Sequence, residues 1–330
     1  MLTYVLAVLA AGANAISSVL QRKANRQAPR QQNLSLKLIG TLLHEPVWFG
    51  GVLAVTAGFL LQASALGNGQ LSVVEPILVL ELPATLILAS LVFRTRLHAR
   101  EWGSAAAMTA ALAGLLYFLS PSAKHLHTVR WYDWVIGIGV NLGVVAVLAG
   151  SAGRVPAARK HRRGEGSARR AAVLGVAAGA SFGLTAALMK GMTSTYARGF
   201  AALFTGWQLY AMIATGILGM FLLQSAMNAG RLLAAQPGVT LSDPIVSVLW
   251  GVVVFGENVR GGWYIAMAVV SGLVMAAAVL VLARSPLLDD EPAMNPGRRH
   301  QEKATGPDAR PGAGKRPEAV DRSPAAGGHV

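Results

Sequence analysis

Residues Ser64–Ala105, SALGNGQLSVVEPILVLELPATLILASLVFRTRLHAREWGSA, return without a gap as Ser225–Ala266, SAMNAGRLLAAQPGVTLSDPIVSVLWGVVVFGENVRGGWYIA. At an offset of 161 residues, eleven positions are identical. Shared Ala and Leu carry little information in so apolar a chain, but the pairs Pro76/Pro237, Pro83/Pro244 and Trp102/Trp263 carry more. Each copy places a carboxylate just ahead of its second Pro: Glu81 two residues before Pro83, and Asp243 directly before Pro244. Apolar duplicated units interrupted by Pro and acids are the pattern of transporters built from repeats.

Composition sets the solvent. The 330 residues are 53% hydrophobic and 13% charged, with a mean hydropathy of +0.48. Soluble domains carry about 25% charged residues, so this chain lacks the means to cover itself with an aqueous surface. Charge-free runs at 1–21, 47–74, 102–123, 134–153, 199–230 and 261–283 include several above the roughly 20 residues that cross a bilayer. The expected fold is all-α, a polytopic membrane bundle of about nine transmembrane helices. The expected spans are 2–20, 47–66, 71–93, 102–119, 133–150, 171–190, 203–227, 232–255 and 262–283. Residues 31–46 would add a tenth helix if they entered the membrane. Their Leu residues suit an interfacial helix, while Lys37, His44 and Glu45 oppose a full crossing.

The formal net charge of +14 would suggest nucleic acid in a soluble protein. Its distribution points to topology instead. With nine spans, 24 of the 29 Lys and Arg fall on one side and five on the other. The positive-inside rule then places the N-terminus outside and the C-terminal tail in the cytoplasm of a cell-membrane protein, with no nucleic-acid partner. Residues 1–20 have no basic segment before their apolar run, so they are expected to stay as the first helix. With no Cys there are no disulfides, thiolate metal sites or Cys nucleophiles.

The duplication reaches the first helix of each half. Gly12-Ala13-Asn14, Ser18 and Lys23 match Gly179-Ala180-Ser181, Thr185 and Lys190 at an offset of 167. Spans 1–4 therefore correspond to spans 6–9. Matched spans lie five apart, an odd number, so the two copies are expected to be inverted relative to each other. The implied organisation is a first repeat at 1–132, a connector helix and basic loop at 133–170, and a second repeat at 171–283. A tail at 284–330, rich in Pro, Gly and mixed charge, is too poor in large apolar residues to form a core.

Glu75, Glu81 and Asp243 are the acids inside the expected spans. Glu81 and Asp243 both fall near the middle of theirs, where a charged side chain costs roughly 2.5–3.5 kcal/mol on insertion scales and tends to serve function. Glu75 lies six residues earlier on the same helix, about 9 Å nearer the outside and about 120° around it from Glu81. The plainer alternative is that each acid bonds to Ser, Thr or Trp of a neighbouring helix and holds the bundle. Repeat symmetry is imperfect, because Glu81 aligns with Ser242 and Asp243 with Leu82. Pro76, Pro83, Pro237 and Pro244 cannot donate to the carbonyls four residues earlier. They are expected to break or hinge both helices and free backbone oxygens, among them that of Val79, beside the acids.

Asn14 and Ser181 join the candidate binding residues because they occupy matched positions. Gly175, Gly179 and Gly183, and Gly139 with Gly143, form small-residue faces that fit internal packing or a homodimer. Lys190, at the end of its span, is expected to snorkel to the outer interface. His125 and His127 lack a third ligand for a metal, and the identity of any bound metal stays open. No Walker A, HExxH or GxSxG pattern occurs, so an enzyme or an ATP-driven pump is not expected.

The segments Ala13–Lys23, Pro46–Pro83 and Leu223–Glu257, within the nine-span layout, resemble the drug/metabolite transporter superfamily. Within it they resemble the EamA-like branch and the NIPA-type magnesium transporters with their bacterial relatives. Phe255-Gly256-Glu257 resembles the family's Gly-Glu ending of that helix, whereas the first copy has Thr95-Arg96 instead. The resemblance implies secondary transport of a small metabolite or cation across the lipid bilayer by alternating access, without a cofactor. A divalent-cation transporter of the NIPA kind is the first alternative, since Mg²⁺ is satisfied by carboxylates, carbonyls and water. A membrane scaffold that transports nothing is the second.

Overall fold

The computed structural model describes residues 1–27, 46–94, 98–119, 129–154, 163–196, 199–229 and 232–282. The chain divides into a unit Met1–Asp289 and a unit Asp290–Val330, the second wholly outside the described residues. The expected tail at 284–330, the His125/His127 pair and nearly all of the expected interfacial segment 31–46 also lie outside them.

Every regular element among the described residues is a helix, as a bilayer demands, since backbone groups in hydrocarbon must find partners within their own segment. The helices are α1 (Leu2–Gln27), α2 (Pro46–Asn68), α3 (Leu71–Leu78), α4 (Glu81–Phe93), α5 (Ala99–Leu119) and α6 (Trp131–Arg154). They continue with α7 (Arg163–Tyr196), α8 (Phe200–Thr205), α9 (Trp207–Ala229), α10 (Leu232–Val253) and α11 (Trp263–Leu282). Eight segments among the described residues are long and apolar enough to cross a membrane, with α3 and α4 together forming one of them. These eight match eight of the nine expected spans. The ninth, 232–255, is the 22-residue helix α10, which carries Gln236, Ser242, Asp243 and two Pro.

Local signals set the helix ends. The His98 backbone N–H donates to Glu101 Oε2 at 2.8 Å, half of a capping box that opens α5. At the end of α4, Arg94 turns left-handed (φ 52°) and its N–H closes on the Ser90 carbonyl. Exposed Trp102, Trp131, Trp207 and Trp263 sit at or near the starts of α5, α6, α9 and α11. Such amphipathic rings favour the membrane–water boundary.

α7 is the central helix: most of Ala168–Thr195 is buried, whereas the other spans expose most of their surface. It packs against α10, α9 and α6, while α1 packs against α2, α3 and α4, and α5 against α11. The α7–α10 seam depends on glycine. A Cβ on Gly179 would meet the Val239 carbonyl at 2.5 Å, and one on Gly183 would meet the Asp243 carbonyl at 2.9 Å. A Cβ on Gly175 would overlap the Ala235 carbonyl. This small-residue face therefore serves internal packing. Gly139 and Gly143 have no neighbouring atom within 4 Å of a built Cβ, so their face is open.

The paired prolines act differently in the two copies. In the first copy the span 71–93 breaks at Val79–Leu80, where Leu80 N–H bonds to Ile77 O at 3.0 Å and Leu82 N–H to Val79 O at 3.1 Å. These tighter three-residue turns replace the bond that Pro83 cannot make. The Val79 carbonyl is therefore occupied by Leu82, not freed as the Pro83 spacing suggested. In the second copy α10 runs unbroken through Pro237 and Pro244. The expectation of two broken helices is corrected to one.

Candidate functional site

The break between α3 and α4 separates Glu75 from Glu81 and gives each its own partners. Glu75 is buried in α3 and accepts a 3.0 Å bond from Gln62 Nε2 of α2. Glu81 opens α4, is half-buried, and accepts from the Ser18 hydroxyl of α1 at 3.3 Å. Asn14, one turn earlier on α1, also interacts with Glu81. Asn14 lies against Gly58, where a Cβ would overlap its side-chain oxygen, so α1 and α2 hold it close.

Asp243 approaches from α10. It interacts electrostatically with Glu75 and, more weakly, with Glu81. Ser247, one turn further along α10, faces it. Yet neither Asp243 Oδ1 nor Ser247 Oγ has a hydrogen bond of ordinary length among the described residues, and both atoms are buried. A buried carboxylate oxygen without a donor costs free energy that a bound cation or proton would recover. Three carboxylates from the two halves thus interact electrostatically inside an apolar bundle, with Gln62, Asn14 and Ser18 as neutral partners. Among the described residues, no three acid or His side chains converge closely enough to hold a metal ion.

The other candidate residues fall elsewhere. Ser181 is fully buried, and its hydroxyl donates to the Ala177 carbonyl of its own helix at 3.1 Å. Pro237 lines a crevice between α6, α7, α10 and α11 whose walls include Leu148, Val173, Leu241 and Ile245. That lining is mostly apolar, with Arg169 and Ser242 as its polar members. Pro83 is buried at the start of α4, next to Glu81.

A second charged constellation was not legible as a site. Lys190 Nζ lies 2.5 Å from Glu257 Oε1, with both side chains largely buried, and donates to the Gly69 carbonyl at 3.1 Å. It also lies 5.0 Å from the centre of the Phe255 ring. Glu257 in turn accepts from the backbone N–H groups of Leu71 (2.7 Å) and Ser72 (3.0 Å) and from the Ser72 hydroxyl. Its carboxylate therefore satisfies the orphan donors at the N-terminus of α3, where negative charge is favoured. The expectation that Lys190 snorkels outward is corrected: Glu257 draws it into the protein. The available signal was the lone cation in the apolar run of α7, together with a Glu just beyond the turn at Gly256 (φ 63°).

Comparison with known proteins adds one finding. The chain is 31% identical over 290 residues to an uncharacterized protein of Corynebacterium glutamicum, an alignment covering 85% of this chain and 95% of that protein. No family model matches the chain. No solved structure matches it.

Proposed function

The chain belongs to the same family as the Corynebacterium glutamicum protein, and on that premise we propose that it is a secondary transporter of the drug/metabolite transporter type. It moves a small metabolite or cation by alternating access, with Glu75, Glu81 and Asp243 as the binding and coupling groups. One observation carries the proposal: Asp243 of the second half interacts electrostatically with Glu75 and Glu81 of the first inside the apolar bundle. Acids kept at membrane depth at such cost mark ion and substrate paths. A site shared between the halves changes its surroundings when one half rocks against the other.

The nine-span inverted arrangement belongs to the same proposal. It is supported by the packing of α1 on α2 beside that of α7 on α9, and by the contacts of α5 with α11 and of α3 with α10. Each of these pairs is either matched by, or its own partner under, the exchange of halves. The orientation with the N-terminus outside rests on the charge distribution alone. A divalent cation would want more converging oxygen ligands than the described residues offer, so a proton or a singly charged cation is the better fit.

The test is a thermal-stabilisation screen of the purified protein against metal ions, amines and amino acids, repeated with Asp243→Asn. Binding at this site raises the melting temperature of the wild type and leaves the variant unmoved. A ligand that stabilises both equally binds elsewhere, and the assignment of the acids then falls.

A further inference from the structure

We infer that Lys190 and Glu257 form a gate that closes the carboxylate site at the end of the bundle bearing Gly69, the end that charge counting assigns to the outside. The inference rests on the transporter reading and says which state the structure represents and what must break to leave it.

The pair joins the two halves rather than bracing one. Lys190 and Glu257 belong to the second half; Gly69, whose carbonyl accepts from Lys190, and Leu71 and Ser72, whose N–H groups donate to Glu257, belong to the first. It also sits directly over the site. The Glu257 carboxylate holds the N–H of Ser72, and Glu75 follows three residues later on α3, about 4.5 Å further along the axis. An aromatic plug backs it. Phe255, which Lys190 faces, contacts Trp134 at 5.6 Å between ring centres, and Trp134 contacts Trp250 at 5.6 Å and Trp207 at 5.3 Å.

Burial falls off in the other direction. Glu257 and Glu75 are buried, Glu81 is half-buried, and its partner Ser18 is exposed. The site is thus shut at the Glu257 end and more open at the Glu81 end. A salt bridge suits a gate because it is directional and reversible, and its separated partners regain water once the end opens. The first half has Arg96 where the second has Glu257, so repeat symmetry supplies no matching carboxylate at the opposite end.

The native chain has no Cys, which makes the closed arrangement directly testable. A Cβ built on Gly67 lies 3.4 Å from the Cβ of Thr193 across the same junction, near the spacing of a disulfide. In the Gly67→Cys/Thr193→Cys protein, mild oxidation should form the bond, stop transport, and restore it on reduction. Failure of the bond to form overturns the closed arrangement. Transport that continues through the bonded protein overturns the gate.

Access is read separately, without any transport assay. In a Gln62→Cys reporter, a membrane-impermeant thiol reagent added from outside should react about tenfold faster or more when Lys190→Gln/Glu257→Gln is introduced. That double variant removes both charges together, so it does not depend on surviving a buried unpaired charge. An unchanged rate overturns the gate. A faster rate in a protein that binds nothing in the screen above sustains the gate and overturns the transporter reading instead.

Discussion

Substituting Gly179 by Ala tests the seam on which the site is built. The added Cβ would lie 2.5 Å from the Val239 carbonyl oxygen and 3.0 Å from Val239 Cα, where ordinary contact begins at 3.4 Å. It would also overlap the Ser242 hydroxyl. Backbone atoms cannot rotate away, so α7 and α10 must part by about 1 Å, an overpacking strain worth about 1–3 kcal/mol. Parting stretches the 3.0 Å bond from Ser242 Oγ to the Val176 carbonyl, worth about 0.6 kcal/mol by membrane-protein averages. Against this, Ala gains up to about 1 kcal/mol in helix propensity over Gly. The net loss is about 1–3 kcal/mol. At about 2–4 °C per kcal/mol, the melting temperature in detergent should fall by about 2–12 °C. Gly139→Ala is the control, since a Cβ there meets nothing within 4 Å, and it should melt at or above the wild type. Equal melting temperatures for Gly179→Ala and wild type would refute the close seam.

Further outcomes follow from the same geometry. Gly183→Ala presses on the Asp243 carbonyl at 2.9 Å, so ligand stabilisation should fall by a larger factor than the melting temperature of the free protein accounts for. Glu257→Ala strands a buried Lys190 and should cost about 3–5 kcal/mol, whereas Lys190→Met/Glu257→Leu should cost much less in equilibrium unfolding. A compartment-sensitive reporter fused after residue 330 should read as cytoplasmic, and one fused before Met1 as external.

The membrane spans were open to reading because bilayer thickness and charge asymmetry act on composition, which a chain displays directly. The acids were legible for the same reason: Glu75, Glu81 and Asp243 are conspicuous in apolar runs. Their assembly was not. Glu75 and Glu81 lie about 120° apart on an ideal helix, yet both act on Asp243 across the break at Val79–Leu80. Repeat symmetry also misled at Pro237 and Pro244. A Pro removes one hydrogen bond in either copy, but whether the helix opens depends on its neighbours. Here α10 lies against the glycines of α7 and stays continuous. Lys190 and Glu257 were missed because they are 67 residues apart. Each looks like an ordinary residue at a span's end until the fold brings them together.

The central claim is that Asp243, acting with Glu75 and Glu81, couples movement of a substrate across the membrane to charge. The most direct measurement uses proteoliposomes containing a pH-sensitive dye, challenged in turn with the amines and amino acids that stabilise the purified protein. At least one should change the internal pH with wild-type protein and leave it unchanged with Asp243→Asn of equal melting temperature. The same pH change with Asp243→Asn, or none from any stabilising compound with the wild type, would contradict the account.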